Sequence, residues 1–179
     1  MRGFFILAEN FTMRSLLLFL LLPIVSLAQE TPEDFGQRVF RAVIDDDKAA
    51  FDAAIAPQEE FTYFFKQIDP TIQDSLLRPG YAMYVRNAQR GFTLCREDIA
   101  ELKLDLQTIK LGKIETADRE LLMERNGQTF TPAAKTITMF FTCSGKNFAF
   151  IISDAIIIKT NGTSVTKLYR SIGWINFPF

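Results

Sequence analysis

Asp154 is a carboxylate set in an apolar run, Phe148-Ala149-Phe150-Ile151-Ile152-Ser153-Asp154-Ala155-Ile156-Ile157-Ile158. On strict strand alternation it shares a face with Phe148, Phe150 and Ile152, and these three would line an apolar ligand cavity beside it. A carboxyl group in apolar surroundings has a raised pKa and can act as general acid or base. Tyr169 and Arg170, in Val165-Thr166-Lys167-Leu168-Tyr169-Arg170, are further candidates. One of them points to each face of the last long strand, and an inward Tyr169 would donate a hydrogen bond to a ligand carbonyl as electrophilic partner to Asp154. The structural alternative is that Ser153-Asp154 marks a β-bulge, where short polar side chains satisfy freed backbone groups, with Tyr169 packed at a rim.

The chain contains no histidine. Ser-His-Asp and Cys-His nucleophiles are therefore excluded, and a zinc enzyme nearly so, because zinc sites use His or several Cys. No metal or cofactor is expected. Cys95 and Cys143 have no C-x-x-C motif around them. In an oxidising compartment two cysteines in one small domain pair as a disulfide; two buried thiols packed as small hydrophobes are the alternative. Asp45-Asp46-Asp47 lacks the spacing of a calcium loop and reads as a helix break with capping. Arg96-Glu97-Asp98 reads as a solvated helix end, and Tyr81 and Tyr84 as part of a core stripe. Asn161-Gly162-Thr163 is both a glycosylation sequon and a hairpin turn.

These groups are positioned by a helical first half and a strand-rich second half, the α+β order. Thr31-Pro32-Glu33-Asp34 is a helix start, and Phe35, Val39, Ala42 and Val43 repeat behind it at helical spacing. A second short helix follows the aspartates and ends at Ala56-Pro57. Gln58–Lys66 reads as a third helix with Phe61, Phe64 and Phe65 inward. Asp69-Pro70 reads as a further helix start, Arg78-Pro79-Gly80 as a break, and Tyr81 to Phe92 as helical again. From Leu102 the period changes to two, with a phase slip near Gln107-Thr108 that a bulge would explain. Asn126-Gly127, Ser144-Gly145-Lys146-Asn147 and Asn161-Gly162 then divide strands at roughly Glu120–Arg125, Lys135–Cys143, Phe148–Lys159 and Ser164–Ile175, an antiparallel meander.

The first 28 residues stand apart. Met13-Arg14-Ser15, the apolar Leu16–Val25 and Ser26-Leu27-Ala28-Gln29 read as a secretory signal peptide, with translation starting at Met13 and cleavage after Ala28. The apolar stretch is too short to span a bilayer, so no membrane span is expected after cleavage. A single domain over 29–179 would remain, exported to the periplasm or medium of a bacterium. Taking Arg2, Glu9 and Arg14 away with the leader leaves 18 basic against 20 acidic residues, and no basic stripe points to nucleic acid. The 18 phenylalanines allow either a dense aromatic core or an aromatic-lined cavity.

Helices before a curved, bulged meander imply a sheet that wraps the helices and leaves a conical cavity. The opening Ala42-Val43-Ile44-Asp45-Asp46-Asp47-Lys48-Ala49-Ala50-Phe51-Asp52 resembles that of nuclear-transport-factor-2-like (cystatin-like) domains, which include ketosteroid isomerases and polyketide cyclases. The resemblance implies a cone-like α+β fold over Pro32 to Ile175, and a cavity acid such as Asp154 in the catalytic members. Fold alone does not fix function. The favoured expectation is a non-catalytic module that binds a small apolar ligand or a protein partner. The alternatives are a cofactor-free isomerase or dehydratase with Asp154 as general base and Tyr169 as its partner, and a structural protein that forms a homodimer through its sheet.

Overall fold

A computed structural model describes residues 30–121, 123–125, 128–130, 132–160, 163–168 and 171–177. The leader, Asn126-Gly127, the sequon residues Asn161-Gly162, and Tyr169-Arg170 lie outside them. The fold is α+β: helices on one side of a curved antiparallel sheet.

Helix α1 (Pro32–Ile44) starts as its sequence dictates. The Thr31 hydroxyl accepts from the Asp34 N–H at 3.1 Å, and Pro32 occupies the first turn, where its missing N–H costs nothing. Phe35, Val39, Phe40 and Val43 form its buried face. Gly36 lies on that face too, and a Cβ there would come within 2.8 Å of Ile137 Cγ2, so α1 can approach the sheet this closely only with glycine.

Asp45 and Asp46 end α1, Asp46 in the left-handed region at φ 57°. Asp47 caps α2 (Lys48–Asp52) by accepting from the Ala50 N–H at 2.9 Å. Arg96 ties this junction down, contrary to its reading as a solvated face. Its Nη1 donates to the carbonyls of Val43 and Ile44, both at 2.9 Å, and its Nε lies 3.2 Å from Asp46. A guanidinium thus bonds the last carbonyls of α1, that of Val43 in addition to the Asp46 N–H at 3.4 Å. Arg96→Ala should cost about 2 kcal/mol. Arg96→Lys should recover less than half of that, because an ammonium lacks the fork that spans both carbonyls and the aspartate. Urea unfolding of the two variants measures this; full rescue by lysine would mean that only the charge matters.

Helix α3 (Gln58–Ile68) follows Pro57, with Phe61 and Phe64 buried. Asp69-Pro70 does not start the next helix. Asp69 Oδ1 accepts from the Thr71 N–H at 2.9 Å in an Asx turn, and α4 (Asp74–Glu101) begins later. The Arg78-Pro79-Gly80 break is also absent: α4 runs through it. Pro79 lies near the helix start, and burial of Leu77 before it and Tyr84 after it holds the segment helical against its local propensity. The alternation from Leu102 is no strand. Leu102 is exposed, and a 3₁₀ turn over Leu106–Thr108, capped by Asp105, carries the phase slip.

The strands are β1 (Lys110–Glu120), β2 (Met123–Arg125), β3 (Gln128–Phe130), β4 (Ala133–Cys143), β5 (Lys146–Thr160), β6 (Thr163–Lys167) and β7 (Ser171–Phe177). β2 and β3 pair as a small hairpin. The main sheet has the order β1-β4-β5-β6, and β7 also pairs with β5. Ser144 and Gly145, at φ 51° and 76°, make the two-residue β4–β5 turn. β6 and β7 share one edge of β5, β6 along Ile156–Thr160 and β7 along Asn147–Ser153. They are the two halves of the single strand expected over Ser164–Ile175.

Two bulges curve the sheet. In β1 the register shifts between Leu111 and Ile114. A Cβ on Gly112 within that bulge would sit 3.2 Å from the Phe140 carbonyl oxygen. The second bulge holds Asp154.

Candidate functional site

The register of β4 on β5 runs Ile137↔Ile152 and then Lys135↔Ala155, so Ser153 and Asp154 together face Thr136. This is the bulge expected from a polar pair in an apolar strand. Asp154 takes φ 59°, a left-handed conformation that aspartate tolerates better than most residues. The bulge falls where β5 exchanges β7 for β6 as its neighbour. Asp154 is buried, 1% exposed, and its Oδ1 lies 2.9 Å from Nε of the half-exposed Arg119 on β1. The arginine balances the carboxylate's charge at the sheet surface.

Phe148, Phe150 and Ile152 are core residues, each 2% exposed or less. The Phe40 ring of α1 lies against Phe150 at 5.5 Å and against Phe141 at 5.1 Å, and Phe141 stacks on Phe148 at 5.3 Å. Aromatic side chains thus fill the space between α1 and the sheet where a conical cavity was expected. Phe148 also borders a shallow depression of about 340 Å³ with Phe140 and Gly112. Tyr169, the proposed partner of Asp154, lies outside the described residues. Cys95 and Cys143 are both buried thiols, and Cys143 Sγ donates to the Asp105 carbonyl at 3.3 Å. Among the described residues no three His, Cys, Asp or Glu side chains converge as a metal site would require.

Opposite the β5 bulge, the edge strand leaves β5 at Leu168 and turns to the helices. The Leu168 N–H donates to the Ala54 carbonyl at 3.1 Å, and Ile55 bridges Leu168 in parallel. Tyr84 of α4 completes the junction. Its hydroxyl accepts from the Ala56 N–H at 2.7 Å and donates to the Leu168 carbonyl at 2.6 Å. Burial pushes this hydroxyl well above the ordinary tyrosine pKa, while the Ala56 N–H pulls the other way. Tyr84 is therefore the buried hydroxyl that joins helix α4, the α2–α3 connection and the sheet edge. The aromatic stripe around it was legible; the bonds were not, because their partners lie far away in sequence.

Below Tyr84 opens a groove of about 550 Å³ between α3, α4 and β7. Phe61, Phe65 and Ile172 form its floor, and Met83 and Leu94 stand on its α4 wall. These two side chains are 53% and 46% exposed, although both are large and apolar. Gly80, Met83, Asn87, Arg90 and Leu94 line one face of α4 at alternating spacings of three and four residues. The apparent break at Pro79-Gly80 hid this stripe. Gly91 lets α4 cross β7 closely, since a Cβ there would lie 3.3 Å from Ile172 Cγ1. Among the described residues the polar side chains at the groove are Tyr84, Asn87 and Arg90, and no carboxylate lines it. Asp154 does not border it. The arrangement can hold an apolar group. No protein-family model, curated protein or solved structure matches this chain.

Proposed function

We propose that this protein is an exported, non-catalytic binding module that holds a small apolar ligand in the groove between α3, α4 and β7. The groove carries the reading: an open, largely apolar slot of about 550 Å³, in the range of small-molecule sites, whose α4 wall leaves Met83 and Leu94 exposed. The leader sequence supports export, and the order of helices before a curved antiparallel sheet is compatible with a nuclear-transport-factor-2-like scaffold. The pairing of Asp154 with Arg119 supports a structural place for that carboxylate over a catalytic one.

Gly80 supplies the test. Nothing lies within 4 Å of a Cβ built there, and the residue borders the groove within a helix. Gly80→Leu should fill the groove from its wall without a clash, and should raise helix stability by about 0.8 kcal/mol. Binding of the neutral fluorescent probe N-phenyl-1-naphthylamine to the mature protein Gln29–Phe179 should weaken roughly tenfold or more in Gly80→Leu, with a melting temperature at or above wild type. A probe that fails to bind wild type, or binds the variant equally well, overturns the reading.

A further inference from the structure

We propose that the natural ligand is an amphiphile with one alkyl chain and an anionic headgroup, the chain lying along α4 and the headgroup meeting Arg90. The inference rests on the groove reading above and deepens it.

Three observations carry it. The first is charge. The chain as a whole is slightly acidic, at net −1, yet among the described residues no carboxylate lines the groove and the charged residue at it is Arg90. Arg86 stands one turn away on α4. Among the described residues no carboxylate pairs with either arginine. Arg90 at the slot, with Arg86 one turn before it, gives a local positive field, and a guanidinium suits the two oxygens of a carboxylate or phosphate.

The second is shape. From Gly80 to Leu94 the groove follows about 21 Å of helix. Its volume of about 550 Å³ spread over that length makes an elongated slot, long enough for an alkyl chain laid along α4. The third is polarity along the slot. Arg90 stands near the Leu94 end, about 15 Å along α4 from Gly80, while Phe61, Phe65 and Met83 supply apolar surface for a chain. Asn87, one turn from Arg90, offers an amide donor beside the same headgroup.

The experiment is competition against N-phenyl-1-naphthylamine with decanoate, decyl phosphate and 1-decanol on the mature protein. The expected result is that at least one anion displaces the probe at a concentration roughly tenfold or more below that of decanol. Arg90→Gln should remove the advantage and Arg90→Glu should reverse it; both change an exposed side chain and should leave the fold intact. Higher salt should shrink the anion advantage, since the rim is open to solvent. An advantage for decanoate alone, or for decyl phosphate alone, supports the inference and identifies the headgroup. Equal displacement by all three ligands overturns the anionic headgroup and leaves the groove reading standing. Failure of every ligand to displace a bound probe overturns the alkyl-chain proposal; failure of the probe itself to bind overturns both.

Discussion

Arg119→Ala should lower stability by about 3 kcal/mol, although the side chain removed is half exposed. The loss arises from what stays behind. Asp154 is 1% exposed, and without Arg119 its negative charge would lie in the sheet without the guanidinium 2.9 Å away. Removing the other partner is milder. Asp154→Asn leaves an arginine that water can reach and a side chain that tolerates φ 59°, so about 1–2 kcal/mol is expected. The double variant, Arg119→Ala with Asp154→Asn, should then be more stable than Arg119→Ala alone, because the second change removes the buried negative charge that Arg119 faced. Urea unfolding of the four proteins forms a double-mutant cycle, with slopes unchanged if the folded state keeps its compactness. If Arg119→Ala stays within about 0.5 kcal/mol of wild type, the pair is not what holds the bulge.

How far the sequence alone reaches can be judged residue by residue. Helix α1, its Thr31 cap and the capping aspartates were legible because each rests on local rules: 3.6-residue periodicity, a hydroxyl before proline, and short acids at a helix end. The Ser144-Gly145 hairpin and the Ser153-Asp154 bulge were legible for a similar reason, since turn chemistry and a polar pair inside an apolar strand leave a mark in the order of residues. Pro79-Gly80 misled because tertiary burial of Leu77 and Tyr84 outweighs local propensity there. Leu102, Leu104 and Leu106 alternate like a strand, yet Asp105 and Thr108 close a turn on themselves, and a short alternation cannot distinguish the two. The conical cavity failed on packing, since phenylalanines from α1, β4 and β5 occupy it. The groove and the Arg96 clamp were illegible for another reason. Each exists only once distant segments meet: Phe61 with Ile172, or Arg96 with the end of α1.

Tyr84→Phe should cost about 3 kcal/mol while leaving every carbon of the ring in place. Only the hydroxyl is lost, but that oxygen serves two buried backbone groups, accepting from Ala56 N–H and donating to the Leu168 carbonyl. Both would be left unsatisfied at the point where the edge strand leaves β5, and stranding a buried polar group costs more than a hydrogen bond contributes. For a domain of this size the melting temperature should fall by about 6–12 °C. The pH dependence separates this hydrogen-bonding role from mere ring packing. Burial raises the Tyr84 pKa in the folded state, so the folded protein holds that proton more tightly than the unfolded chain does. The contribution is therefore fully present below the ordinary tyrosine value of about 10 and is lost as pH rises beyond it towards the higher folded value. Wild type should lose stability above pH ~10 more steeply than Tyr84→Phe, and the gap between them should narrow there. Parallel pH profiles, or a Tyr84→Phe protein as stable as wild type at neutral pH, would show that the Ala56 and Leu168 groups find other partners. The junction of α4, the α2–α3 connection and the sheet edge would then be held by apolar contact alone, with Phe61 packed at 5.1 Å against the Tyr84 ring as its chief element.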